Sequence, residues 1–217
     1  MIITIDGPAG AGKSSAARAL ARRLGFRFLD TGAMYRAVAL AGMRRGVDWS
    51  RPEELALLAR GLDLRLADDR VYLDGEDVTE AIRRSDTTAV TRYAADNVGV
   101  RRHLVELQRA IAAADNLVTE GRDQGTVVFP AAECKFFLTA SEDERARRRL
   151  RDLEARGERA TLEDLLAAQR RRDREDAARP VGPLLPAPDA IRVATDGLAL
   201  EEVVDRLESL ARTRYSG

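Results

Sequence analysis

The stretch "IITIDGPAGAGKSSAARAL", residues 2–20, constrains this chain more than any other part of it. A short β-branched run reads as a buried strand, and Ala/Leu at helical spacing up to Gly25 reads as a helix. Between them, Gly7-Pro8-Ala9-Gly10-Ala11-Gly12-Lys13-Ser14 follows the pattern G-x-x-x-x-G-K-[ST]. In that setting the glycines let backbone N–H groups turn inward around phosphate oxygens, and the helix N-terminus adds its positive end. Lys13 is then the β,γ-phosphate contact, Ser14 brings a hydroxyl toward Mg²⁺, and Ser15 stands one step on, toward the α-phosphate. The motif predicts a bound nucleoside triphosphate. It does not say where the phosphate goes.

The rest of the chain predicts a single α/β core. "FRFLD", "NLVTEGRD", "CKFFLTA" and "AIRVATD" read as further short strands, separated by helical patterns, which implies a parallel sheet flanked by helices. Two segments break this rhythm. "LDLRLADDRVYLDGEDV", Leu62 to Val78, alternates apolar and polar residues around Asp-Asp and Asp-Gly turns, as a small antiparallel meander does. Taken alone it reads as an insertion leaning on neighbouring helices. Arg145 to Arg179 is dense in arginine, which ordinarily marks solvated helices. Within it Arg172 and Arg179 lie seven residues apart, hence near one helical face, with Asp176 between them.

Composition narrows the function. With 36 basic and 36 acidic residues the net charge is zero, which removes a broad electrostatic case for nucleic acid or anionic membrane. No apolar run approaches the roughly 20 residues that span a bilayer, and the start does not read as a signal peptide. A cytoplasmic protein, acting on small molecules as a monomer, is expected. The single cysteine, Cys134, in an apolar run, reads as a buried structural thiol, and the single histidine, His103, as a surface residue. A switch GTPase would need an Asn-Lys-x-Asp tetrad, which is absent, and a motor ATPase would be longer. A small chain with this loop and several isolated arginines suits a small-molecule kinase, because bringing an anionic acceptor against a triphosphate requires positioned cations. A kinase for another acceptor (UMP, AMP or shikimate) and a non-enzymatic nucleotide-binding module are the rivals.

Five stretches, "ITIDGPAGAGKSS", "LDTGAMYRAVAL", "LDGEDVTEAIR", "EGRDQGTVVFP" and "RRDREDAARPVGPLLPAPDA", together resemble the bacterial cytidylate kinases, in order and over essentially the whole chain. The resemblance implies transfer of the γ-phosphate of ATP to CMP or dCMP with Mg²⁺. It also implies a P-loop core with a five-stranded parallel sheet (1–32, 115–150 and 180–217), an NMP-binding domain (33–114) enlarged by the β insertion at 62–78, and a lid at 151–179. By the same resemblance, Gly7 to Ser15 and Arg148, with Arg149 beside it, border ATP. Thr31, Tyr35 and Arg36 belong to the segment that receives the acceptor monophosphate, with Arg36 and Arg122 clamping phosphate. Arg101 and Asp123 read the cytosine edge, Arg172 and Asp176 lie near the acceptor ribose, and Arg179 reaches the transferring phosphate. Arginine suits such clamps because its planar fork meets phosphate oxygens bidentately. A carboxylate at 123 suits cytosine because it accepts from the exocyclic amine that uracil lacks. From the helical pattern alone, Arg36 and Arg101 would be surface residues, whereas Arg122 and Asp123 follow a strand at the end where open α/β sheets bind ligands. Three positions depart from the family pattern. Thr91 supplies a hydroxyl one residue further from Arg101 than the family's serine, Glu120 replaces a frequent aspartate, and Gln124 stands at a commonly apolar place.

Overall fold

The computed structural model describes residues 1–67, 69–155 and 157–215. Its central strand β1 (Ile2–Asp6) is flanked on one side by β6 (Leu117–Gly121), with Ile3 opposite Val118 and Ile5 opposite Glu120. On the other side lies β7 (Cys134–Thr139), Ile3 opposite Cys134. With β2 (Arg27–Asp30) outside β6 and β8 (Ile191–Ala194) outside β7, the sheet order is β2-β6-β1-β7-β8. Strands β6, β1 and β7 are near-continuously buried, the pattern of a parallel sheet covered on both faces. The chain leaves β1 toward β2 and later returns to fill both sides of β1, so the C-terminal ends of β1 and β6 form the switch point where such sheets bind ligands.

Two compact units make up the chain, residues 1–28 with 116–217, and residues 29–115. In the first, helix α1 (Lys13–Leu24) begins at Gly12 (φ 83°) and ends at left-handed Gly25, with the Phe26 N–H donating back to the Ala21 carbonyl. Its buried stripe Ala16, Ala17, Leu20 and Ala21 joins Ile3, Ile5, Phe136 and Leu138 and the inner face of α8 (Leu200–Tyr215), Val203, Val204 and Leu207, in one core. Cys134 lies in this core, and burial pushes its thiol up to about 11, as an inert structural cysteine requires. The arginine-rich segment forms two helices, α6 (Glu142–Glu154) and α7 (Leu162–Ala177), capped by Ser141 and Thr161 side chains.

The second unit is built on α2 (Thr31–Arg44), α3 (Pro52–Arg60) and α5 (Val98–Ala112). The meander appears as β3 (Leu64–Ala67), β4 (Arg70–Leu73) and β5 (Glu76–Asp77). Asp74 and Gly75 both take positive φ, 51° and 84°, the two-residue turn that suits the twist of adjacent strands. Val71 and Leu73 pack with Ala33, Ala37 and Leu40 of α2. One helix goes unread in the sequence, and one residue differs from expectation. Helix α4 (Ser85–Ala95) is not signalled in "SDTTAVTRYAA", whose β-branched residues disfavour a helix; it forms by burying Thr87, Ala94 and Ala95 while packing on α2. His103 is half-buried on α5 rather than exposed. Among the described residues no helix is long and apolar enough to cross a membrane.

Candidate active site

The loop Gly7–Gly12 leaves β1 and wraps toward the N-terminus of α1. A β-carbon at Gly7 would stand 2.1 Å from the Leu138 carbonyl, so the first loop residue must be glycine for the backbone to lie against β7. Lys13 is 5% exposed, and its Nζ donates to the Pro8 carbonyl at 2.8 Å, folding back across the loop. The Ser14 hydroxyl donates to Glu120 Oε1 at 2.9 Å, while Ser15 faces outward. Burial pushes Lys13 down to about 7, reinforced by Arg122 and Arg172 and opposed by Glu120 and Asp6.

Two residues to which the sequence motifs assign no role prepare this end of the sheet. Asp6, the last residue of β1, accepts from the N–H groups of Gln124 (2.9 Å) and Gly125 (2.8 Å). Those amides open a π-helical turn over Gln124–Val128, whose wide spacing leaves its first N–H groups without helical acceptors. Burial raises Asp6 to about 6 despite these two bonds. The side chain of Gln124 is also accounted for: its Oε1 accepts from the Thr119 hydroxyl at 3.0 Å inside the core. The turn fixes Arg122 and Asp123 where β6 ends; Asp123 is buried there. Arg145 of α6 is the other contributor: its Nη1 donates to the Ala9 carbonyl at 3.0 Å.

Helix α7 ends at Ala177, so Arg179 lies past it and not on one helical face with Arg172; the arginines are gathered instead around Asp176. Its carboxylate accepts from Arg122 Nε at 2.8 Å and pairs with Arg179 Nη2 at 2.6 Å, and it is itself 3% exposed. Burial works against its charge, but Arg122, Arg179 and Arg172 together hold it below the usual carboxylate range. Lys13, Arg122, Arg172, Asp176 and Arg179 therefore form one electrostatic group within the first unit, although Arg172 is exposed to solvent. Arg148 lies beside the loop, its Nη1 3.5 Å from the place a Gly12 β-carbon would take, and is held by Thr195 and Glu144. Arg149 is exposed on α6.

In the second unit Arg36 and Arg101 are not the surface residues that the helical pattern alone suggests. Arg36 pairs with Asp30 at 3.2 Å; Asp30 also caps α2 through the Ala33 N–H. The buried Nε of Arg36 has no hydrogen-bond partner among the described residues. Thr31 is buried in the first turn of α2. Arg101, 4% exposed, donates to the Ala95 carbonyl and stands 5.6 Å over the ring of Tyr35, a cation–π contact that fixes its plane. The Thr91 hydroxyl donates to the Thr87 carbonyl one turn back. Sequence reasoning missed Asp6, Asp30 and Arg145. The first two are the last residues of β1 and β2, immediately before a glycine or a helix, the one signal that could have pointed to them.

The state of Lys13 gives a pH-dependent expectation. In the free protein its ammonium titrates near 7, against an ordinary 10.5. A bound triphosphate would restore the charge, so binding takes up a proton between about pH 7 and 10, and the apparent Kd rises by up to about tenfold per pH unit in that window. Calorimetry of ATP binding at pH 8 in two buffers of different ionisation enthalpy measures that uptake; equal heats in both would refute it.

The cytidylate kinase family profile matches residues 3–213. A cytidylate kinase from Rhodopirellula baltica is 54% identical over 98% of this chain and 93% of its own, and one from Geobacter sp. (strain M21) is 47% identical over 100% and 94%. A bifunctional pantoate ligase/cytidylate kinase from Synechococcus sp. (strain JA-3-3Ab) is 49% identical over 97% of this chain and 40% of its own. Among solved structures, an uncharacterized protein from Eubacterium ventriosum superposes with a TM-score of 0.53 at 11% identity, covering 98% and 99% of the two chains, which is a likeness of fold alone. A nucleotide-binding P-loop, a five-stranded parallel sheet and a match along almost the full length agree: the chain belongs to the cytidylate kinase family.

Proposed function

We propose that this protein transfers the γ-phosphate of ATP to CMP or dCMP, giving ADP and CDP or dCDP. The near-full-length match to the cytidylate kinase family carries the reading. The loop amides hold the ATP phosphates, and Lys13 exchanges the Pro8 carbonyl for a phosphate oxygen, a shift of partner that its position across the loop supports. Arg36 and Arg122 clamp the acceptor phosphate; the buried Arg36 Nε, without a hydrogen-bond partner among the described residues, supports that role. Arg101, levelled on Tyr35, and Asp123 read the cytosine, Thr31 and Thr91 border the acceptor, and Arg172 and Asp176 meet its ribose. Arg179 joins Lys13 and Arg122 in stabilising charge on the transferring group. No general base is required, because the attacking atom is already an anionic phosphate oxygen, so positioning and charge carry the rate.

Mg²⁺ fits the oxygen donors here, since the Ser14 hydroxyl and the Glu120 carboxylate are already in contact. Among the described residues there is no cluster of three or more His, Cys, Asp or Glu that could hold a metal, as befits an ion shared with substrate phosphates rather than caged by protein. When bound, it would screen the phosphates of ATP. We take residues 33–114, within the compact unit 29–115, as the monophosphate-binding domain and 151–179 as the lid, whose closure over bound substrates favours transfer over hydrolysis. The same reading takes the enzyme to be cytoplasmic and monomeric, acting on small molecules in pyrimidine nucleotide metabolism. A coupled ADP-release assay tests it: CMP and dCMP should stimulate release, with UMP and AMP far behind. Release that no monophosphate stimulates would overturn the reading.

A further inference from the structure

The side chain of Arg145 connects three elements of the first unit. From α6, its Nε donates to the Ala140 carbonyl at 3.1 Å and its Nη1 to the Ala9 carbonyl at 3.0 Å, while Nη2 pairs with Asp173 of α7 at 2.7 Å. The guanidinium is almost fully enclosed, its side chain 5% exposed. A β-carbon at Gly10 would stand 3.0 Å from that of Arg145, so α6 backs directly onto the loop there. Asp173 follows Arg172 and precedes Asp176 by three residues, on the helix that contributes Asp176 to the Arg122–Asp176–Arg179 network. One oxygen of Asp173, Oδ1, is buried with no hydrogen-bond partner among the described residues, and the ion pair with Arg145 offsets the partial burial of this carboxylate.

We propose that Arg145 and Asp173 are positioning residues for the phosphate loop, with α7 setting the loop's geometry through them. A carbonyl of the loop that points outward must be satisfied on the outside if its neighbouring amides are to face a phosphate. Arg145 satisfies the Ala9 carbonyl in this way, and Asp173 fixes the plane of the guanidinium that does so. Three acceptors around one planar cation require arginine's fork; lysine's single nitrogen cannot serve them together. Donor binding is thereby coupled to the docking of α7, the helix that also carries Arg172 and Asp176 and ends two residues before Arg179. The inference rests on the reading of the loop as the ATP site.

Asp173→Asn, Arg145→Lys and the double variant test it. Each single change should raise the KM for ATP about tenfold, as a displaced phosphate cradle would. The KM for CMP should stay within about twofold, and the double variant should be no worse than the weaker single one, because both remove one linkage. Hydrogen exchange of the loop amides should quicken in Asp173→Asn, a readout independent of activity that holds even if the acceptor is not CMP. Should Arg145→Lys fail to fold, Asp173→Asn and Asp173→Ala decide alone. An unchanged ATP KM in Asp173→Asn, an equal rise of both KM values, or multiplying effects in the double variant would overturn the proposal. Calorimetry of ATP binding to the unmodified protein tests the donor-site reading separately.

Discussion

Lys13→Met should lower kcat/KM for ATP by about a thousandfold, close to 4 kcal/mol of barrier, in a protein that still folds. Lys13 is the cation that the loop itself contributes, and it is nearly sealed from water. A charge enclosed in this way acts on developing phosphate charge with little solvent screening, which is why one buried cation is worth so much. Folding should survive, because the buried lysine stabilises little. Its ammonium is disfavoured by burial to the point of titrating near 7, and it donates to the Pro8 carbonyl of the loop. Methionine fills the same volume without that desolvation. The check is steady-state kinetics beside a thermal melt. A loss under tenfold with an unchanged melting point would remove Lys13 from the transfer step.

Asp123→Ala should reduce kcat/KM for CMP by a factor of about 10² to 10³ while the Kd for ATP stays within about threefold. The main-chain role of this residue is separable from its side chain. Its carbonyl accepts from the Val127 and Val128 N–H groups at 2.9 and 3.2 Å and so starts the π-helical turn, which alanine leaves in place. The turn is held from its other side by Asp6. What alanine removes is the buried carboxylate proposed to accept from the cytosine amine. The gap between CMP and UMP should therefore narrow in the variant, since the wild-type carboxylate would face a uracil carbonyl. Kinetics with both acceptors and an ATP titration measure this, and an equal loss for ATP and CMP would remove Asp123 as a base reader.

Much of this arrangement is legible in the chain. The strand-loop-helix around Lys13, the parallel core and the Asp74-Gly75 hairpin all follow from local rules of periodicity, capping and turn chemistry. The resemblance carries the positions of Arg36, Arg101, Arg122, Asp123, Arg172, Asp176 and Arg179. Helix α4 is not legible, because its threonines and valine argue against a helix that only burial on α2 makes stable. Nor is the burial of Arg101, whose cost is offset by the Ala95 carbonyl and the face of Tyr35, contacts that a helical pattern does not encode.

The sequence by itself determined that a nucleotide's phosphates are cradled at the end of the first strand, and which arginines are available to act there. The tertiary structure decided how those groups are held. Asp6 reaches amides 118 and 119 residues away, Arg145 spans 136 residues to the Ala9 carbonyl, and Arg122 meets Asp176 across 54. Asp6, Arg145 and Asp176 are buried and Arg122 half-buried, and the cost of burying a charge is offset only by a specific partner at hydrogen-bond distance. Those partners are brought together by the order of strands in the sheet and the packing of α6 and α7, and spacing along the chain carries no trace of them.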